Sequence, residues 1–198
     1  MTTSLFAIIS YVLISTFTPG PSNISSTSMA VIHGYKGTIK YQIGLALGVF
    51  LLMMVSGWSS TTLLNVFPSL EPLMRYVGAA YILYLALGLL KATYFFTEEN
   101  TKPLGLANGF ILQILNPKLV VYAFTLFTAF LTHFSTNLLT LIFVSILLAA
   151  TSFCATSVWA LFGTAIQAYL HNPGAKTIIN ILLSLSLIYI ALSLILFR

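Results

Sequence analysis

The chain has 198 residues, of which 59% are hydrophobic and 6% charged, with a formal charge of +5 at pH 7. A water-soluble domain needs a largely polar exterior, so this composition leaves lipid as the solvent. There is no Asp, acidic residues occur only at Glu71, Glu98 and Glu99, and the basic residues stand singly between apolar runs. That pattern is membrane topology and excludes a nucleic-acid partner.

Six apolar runs follow in chain order. The first covers Leu5 to about Ile32 and is broken at Pro19 to Asn23. The sequence before Lys36 has no charge, hence no positive region of a signal peptide, so this run is expected to belong to the mature protein. The second runs from about Ile39 to Leu64 and the third from about Leu73 to Leu90. The fourth covers Leu104 to Leu131 and is broken at Asn116 to Lys118. The fifth runs from about Leu138 to Ile166 and the sixth from about Thr177 to Phe197. A spanning helix needs roughly 20 apolar residues. Runs one and four reach that length only if both of their halves count.

Lys36 and Lys40 follow the first run, Lys91 and Lys102 flank the loop after the third, and Lys176 precedes the sixth. Only Arg75 and Arg198 fall on the other side, so the Lys-bearing loops are predicted to be cytoplasmic and both termini outside. The loops are short; the longest, about Lys91 to Pro103, holds no catalytic domain. The third and sixth runs share similar wording, Tyr84 to Leu89 against Tyr189 to Leu194, and the broken runs are the first of each half. Three spans per half make the halves antiparallel. The predicted architecture is therefore one all-α polytopic membrane domain over residues 1–198, with six transmembrane helices as two inverted three-helix repeats (about 1–92 and 104–198).

The breaks carry the functional expectation. Hydrocarbon cannot satisfy backbone groups freed by a broken helix, so such a break must line a cavity or be covered by protein. Asn116 suits an N-cap and Pro117 the first helical position; Gly20 and Pro21 give the same reading with a weaker cap. Each restart offers N–H groups to an anion, and each stop offers carbonyls to a cation. A zwitterionic amino acid matches both, its ammonium falling to carbonyls near Phe17 and Thr18. Lys118 lies about 20 Å of helix from either end of its run, too deep to reach water along the stem. Charge at that depth costs about 2.5–3.5 kcal/mol, and no acidic residue lies in any run to pair with it. The solute's carboxylate is the expected partner. The candidate binding residues are Pro19, Gly20, Pro21, Ser22, Asn23, Gln113, Asn116, Pro117, Lys118 and Tyr122. For Gln113 and Tyr122, cavity lining and simple packing both stay open.

Other features read as structural. Gly44 and Gly48 mark close helix packing. Trp58 and Trp159 are interface or packing residues, and His33 stands at a boundary with a proton-relay role as the minor alternative. Cys154, the one cysteine, is expected to be a buried inert thiol. No His/Cys/Asp/Glu grouping has metal-ligand spacing and no nucleotide-binding loop occurs, so neither metal, other cofactor nor ATP is expected.

As a set these stretches resemble the LysE/RhtB family of bacterial amino-acid exporters. The matching wording is Pro19-Gly20-Pro21-Ser22-Asn23, then His33 to Gly37, Gly78 to Leu85, and Gly109-Phe110 through Asn116-Pro117-Lys118. Ser22 is a departure, since Asn often follows Pro-Gly-Pro directly in that family. Gly78 to Ile82, Leu112-Gln113 and Val158 to Leu161 look closest to the subgroup exporting cysteine and O-acetylserine. The resemblance implies export of small neutral or polar amino acids from the cytoplasm, driven by an ion or proton gradient. The expectation is thus a secondary exporter of amino acids or close metabolites in a bacterial inner membrane, working by alternating access and not an enzyme. Lys118 is the candidate proton carrier, and a homodimer fits so apolar a surface. The alternatives are a passive channel for small polar solutes and, less well matched, a membrane-embedded enzyme.

Overall fold

The computed structural model describes residues 5–58, 76–77, 79–87, 90, 103–131, 137–169 and 173–196, and these are helical apart from short joints. The elements are α1 (Leu5–Phe17), α2 (Pro21–Trp58), α3 (79–87), α4 (Leu106–Ile114), α5 (Pro117–Thr125), α6 (Leu138–Tyr169) and α7 (Pro173–Leu196). A π-helical turn, Leu126–Phe130, continues α5. The end of the second apolar run (59–64), the loop 91–102, and Arg75, Lys91, Lys102 and Arg198 lie outside the described residues, as do parts of the third run and both of its flanks.

Helix boundaries follow local chemistry. Asn137 caps α6, its Oδ1 accepting from Leu139 N at 2.9 Å, and Pro173 opens α7 where its missing N–H costs nothing. The connection expected between Ile32 and Ile39 is shorter than the hydropathy indicated. Helix runs up to Gly34 and resumes directly after it, because Gly34 alone adopts φ 68°, ψ 174°. That conformation is essentially restricted to glycine. Ser25 and Tyr41 share a hydrogen bond of 2.8 Å although 16 residues apart, a separation that would be about 24 Å in a straight helix. α2 is therefore a hairpin with a first arm, 21–33, folded back on a second arm, 35–58. Gly34→Ala is expected to destabilise the fold by about 1–3 kcal/mol; thermal denaturation in detergent checks this, and an unchanged midpoint would reject the one-residue hinge.

A polar segment is buried inside the bundle and the exterior is apolar. Gly20 through Val31 is buried without interruption, although it contains Ser22, Asn23, Ser25, Ser26, Thr27 and Ser28. The outer faces carry Phe6 (79% exposed), Leu47, Phe143, Leu161, Leu182 and Tyr189. Water would penalise this arrangement, whereas lipid accepts the apolar exterior and forces polar groups inward. The chain is a helical membrane protein. Cys154 departs from expectation: it is exposed on the outer face of α6, not buried, because that face looks away from the bundle.

Two apolar clusters sit on either side of the helix breaks. Toward the Gly34 turn, Ile24, Met29, Tyr41 and Leu45 pack with Ile82, Leu112 and Leu187. Toward Trp58, Val49 and Met53 pack with Leu119, Phe127, Leu141 and Leu148, joined by Ile8 and Tyr11 of α1. α1 thus belongs to one half of the depth and the first arm of α2 to the other; α4 and α5 divide likewise. Glycines bring α2 and α4 into backbone contact. A Cβ on Gly44 would stand 2.0 Å from Leu106 O, and one on Gly109 2.1 Å from Tyr41 O. Gly48 makes room for a side chain instead: an added Cβ would stand 2.7 Å from Gln113 Cβ. The close-packing reading of Gly44 and Gly48 is what the structure shows.

Candidate functional site

Both breaks open on one cavity of about 50 Å³. That is room for roughly three to five water molecules, or the head of a small solute. Its wall contains Gly20, Pro21, Ser22 and Asn23 from the first break and Gln113, Asn116, Lys118 and Tyr122 from the second. Pro19 and Pro117 shape the breaks but do not line the cavity; Pro19 is exposed and Pro117 half-buried. The hydrophobic pattern did not single out Ser15, Thr16, Val49, Leu119, Leu148 and Ser152, which complete the wall. These lie in unbroken helix and carry no local signal; only the tertiary approach of α1, α2, α5 and α6 brings them there.

At the stop of α1, the carbonyls of Thr16, Phe17 and Thr18 each accept from a side chain. Asn23 Nδ2 donates to Thr16 O and Thr18 O, both at 3.0 Å. Trp159 Nε1 donates to Phe17 O at 3.2 Å, so Trp159 is a capping residue as well as a packing one. Lys118 Nζ donates to Thr18 O at 2.9 Å, its stem lying across Gly20, where a Cβ would meet Cδ and Nζ at 3.2 Å. This changes the expectation for the solute ammonium. The carbonyls near Phe17 and Thr18 are not waiting for a solute ammonium, because side chains of the protein already occupy them. The Lys118 side chain turns away from the positive end of its own half-helix and reaches the negative end of α1. Asn23→Ala would leave Thr16 O without this donor and Thr18 O with Lys118 alone. It is expected to cost about 1–3 kcal/mol, read as a lower melting temperature in detergent; wild-type stability would contradict the capping role.

The restarts differ from each other. At α5, Asn116 Oδ1 accepts from Lys118 N at 3.1 Å, and Asn116 O accepts from Leu119 N and Val120 N. Asn116 and Pro117 hold the cap and first positions that the sequence predicted. At α2, Gly20 O accepts from Ile24 N at 2.9 Å. The N–H groups of Ser22 and Asn23 remain as the donors expected of a first turn, on residues that line the cavity. Ser22 also ties the breaks together: its hydroxyl donates to Gln113 Oε1 and accepts from Asn116 Nδ2 at 3.3 Å. Gln113 is thus both cavity wall and cross-link. Tyr122 lines the cavity and also packs, stacking on Tyr11 with ring centroids 5.6 Å apart.

Among the described residues, the cavity has one cation, amide and hydroxyl groups around it, an apolar side of Val49, Leu119 and Leu148, and no carboxylate. Such a wall suits an anionic group on a small molecule.

Comparison with known proteins bears on this arrangement. The family described as LysE type translocator matches residues 13–197. The chain belongs to the LysE family. A cysteine/O-acetylserine efflux protein of Salmonella choleraesuis (strain SC-B67) is 36% identical over 189 residues, which cover 94% of this chain and 95% of that protein. A protein of the same description from Escherichia coli O1:K1 is 33% identical over 192 residues, 96% of each chain. No solved structure matches. The family match takes in both breaks and all the cavity-lining residues.

Proposed function

We propose that this LysE-family protein is a secondary exporter of small neutral amino acids, with the cavity between the two breaks as its binding site. The observation that carries the reading is Lys118, a mid-bundle ammonium held against the stop of α1 at the wall of a cavity with no acidic residue among the described lining residues. A solute carboxylate would meet Lys118 Nζ and the first-turn N–H groups of Ser22 and Asn23. The solute ammonium would turn to the hydroxyls of Ser15 and Ser152, since the α1 carbonyls are taken. A short side chain would rest on Val49, Leu119 and Leu148. Cationic amino acids fit poorly, for want of a carboxylate to receive the second charge. Cysteine and O-acetylserine, named for the relatives, have the required size and charge.

The architecture proposed is six spans in two inverted repeats. What supports it is direction: the first broken helix, α1 into α2, descends from the Trp58 level toward the Gly34 turn, while α4 into α5 ascends. Lys36 and Lys40 are exposed beside that turn. α6 ends toward the same level, where Gly163 packs on Thr27 and Ala30, and Lys176 follows at the start of α7. A common end for these three lysines supports placing it in the cytoplasm.

The test is export. Cells overproducing the protein should accumulate cysteine or O-acetylserine in the medium above control cells. In proteoliposomes, O-acetylserine on the far side should accelerate exchange of labelled O-acetylserine. A carrier gives this counterflow and a passive channel does not, so its absence would overturn the carrier reading.

A further inference from the structure

Between the cavity and the Gly34 turn, the first arm of α2 carries hydroxyl groups around its whole circumference. Ser25 and Thr27 have partners: Ser25 bonds Tyr41, and the single O–H of Thr27 has two carbonyl acceptors within reach, Asn23 O at 3.0 Å and Trp159 O at 3.1 Å. Ser26 and Ser28 are fully buried, and neither hydroxyl has a hydrogen-bond partner among the described residues. At the level of Ser25, Gln42 of the second arm is also fully buried. Its Oε1 accepts from Ser157, which in turn accepts from Tyr35 beside the turn, while its Nε2 has no partner among the described residues.

Ser145 of α6 and Ser184 of α7 are also buried without a partner among the described residues, but on this short stretch three such groups lie close together, and packing does not explain them. Alanine would fill the place of either serine without giving up a hydration shell. The hydroxyls make physical sense on a surface that is wetted in another state of the molecule. They continue from Ser22 at the cavity wall to the turn that bears Lys36 and Lys40, and the hinge glycine, Gly34, joins the two arms at that end.

We propose that this polar interior, from the cavity past Ser26, Gln42 and Ser28 to the Gly34 turn, is the second half of the solute path, sealed in the state described here. The arms part about Gly34 to open it. The proposal rests on the exporter reading and adds which segment must open and which groups then meet solute and water.

The test uses full-length protein in proteoliposomes with Cys154→Ser as background. Ser26→Cys and Ser28→Cys are treated with a small cationic methanethiosulfonate from the side bearing Lys36, with Ala123→Cys as a fully buried apolar control. Labelling of the two serine positions should be at least about 10-fold faster than the control, and O-acetylserine should slow it at least about threefold. In parallel, Ser26→Ala and Ser28→Ala should melt at or above the wild-type temperature yet export at least about fivefold more slowly. A purely structural role predicts no such split between stability and transport. Labelling no faster than the control, or wild-type export by both alanine variants, would overturn the path. Wild-type protein that moves no amino acid would overturn the exporter reading instead.

Discussion

Lys118→Met is expected to abolish measurable export while leaving a folded protein. The methionine keeps the stem that lies across Gly20 and removes only the ammonium. Thr18 O retains its bond from Asn23, so the stop of α1 stays capped. A charge-assisted hydrogen bond to a carboxylate contributes about 1.5–3 kcal/mol, or roughly 10- to 150-fold in affinity. Loss of the Lys118 cation from the cavity wall should therefore push transport at low substrate concentration below detection. Lys118→Arg keeps the charge but enlarges the head where Gly20 is already close; it should export partially, with weaker apparent affinity. Initial rates of O-acetylserine counterflow, alongside melting temperatures, separate the outcomes. Export by Lys118→Met at the wild-type rate would remove the basis of the binding-site proposal.

Gly109→Leu and Gly44→Leu should be the most damaging single changes to the fold. Overpacking a core commonly costs about 1–3 kcal/mol, because side chains can shift to make room. Here the obstruction is main chain: Leu106 O and Tyr41 O lie near 2 Å from the added Cβ positions. The second arm of α2 and α4 must separate as units, which also draws Gln113 away from Ser22. Both variants are expected to lose more than that range, and even Gly109→Ala should lower the melting temperature. The two sites share one contact, so the double variant should cost less than the sum of the singles. Strict additivity would show that the glycines act through separate interfaces.

The cross-link between the breaks explains why one cavity forms at all. Ser22 meets Gln113 and Asn116, and Lys118 meets Thr18, so each broken helix closes the other. Neither break could stand alone in hydrocarbon, where a freed carbonyl or N–H has no water to turn to. The mutual capping also offers a route for coupling. A solute bound as proposed would draw Lys118 toward its carboxylate and leave Thr18 O to Asn23 alone, and differential binding of this kind is what shifts a conformational equilibrium.

The local grammar of the chain was plain from residue type. Asn116 with Pro117 could only restart a helix, Pro19-Gly20-Pro21 could only interrupt one, and 59% hydrophobic residues could only face lipid. Most of the cavity wall was legible for the same reason, because the breaks announce themselves. Ser15, Thr16 and Ser152 were not, since a serine in unbroken helix looks the same whether it faces solute, lipid or a neighbour. The capping role of Trp159 was equally hidden, its partner Phe17 lying 142 residues away.

What the amino-acid sequence determined by itself was solvent, helix content and the two points where helix must stop, because these depend on side-chain hydrophobicity and backbone chemistry over a few residues. The tertiary structure decided that Lys118 rests on the carbonyl of Thr18, that Gly34 alone turns the α2 hairpin, and that a polar arm is enclosed on every side. Those outcomes depend on which distant surfaces meet, and a meeting of surfaces has no local signature.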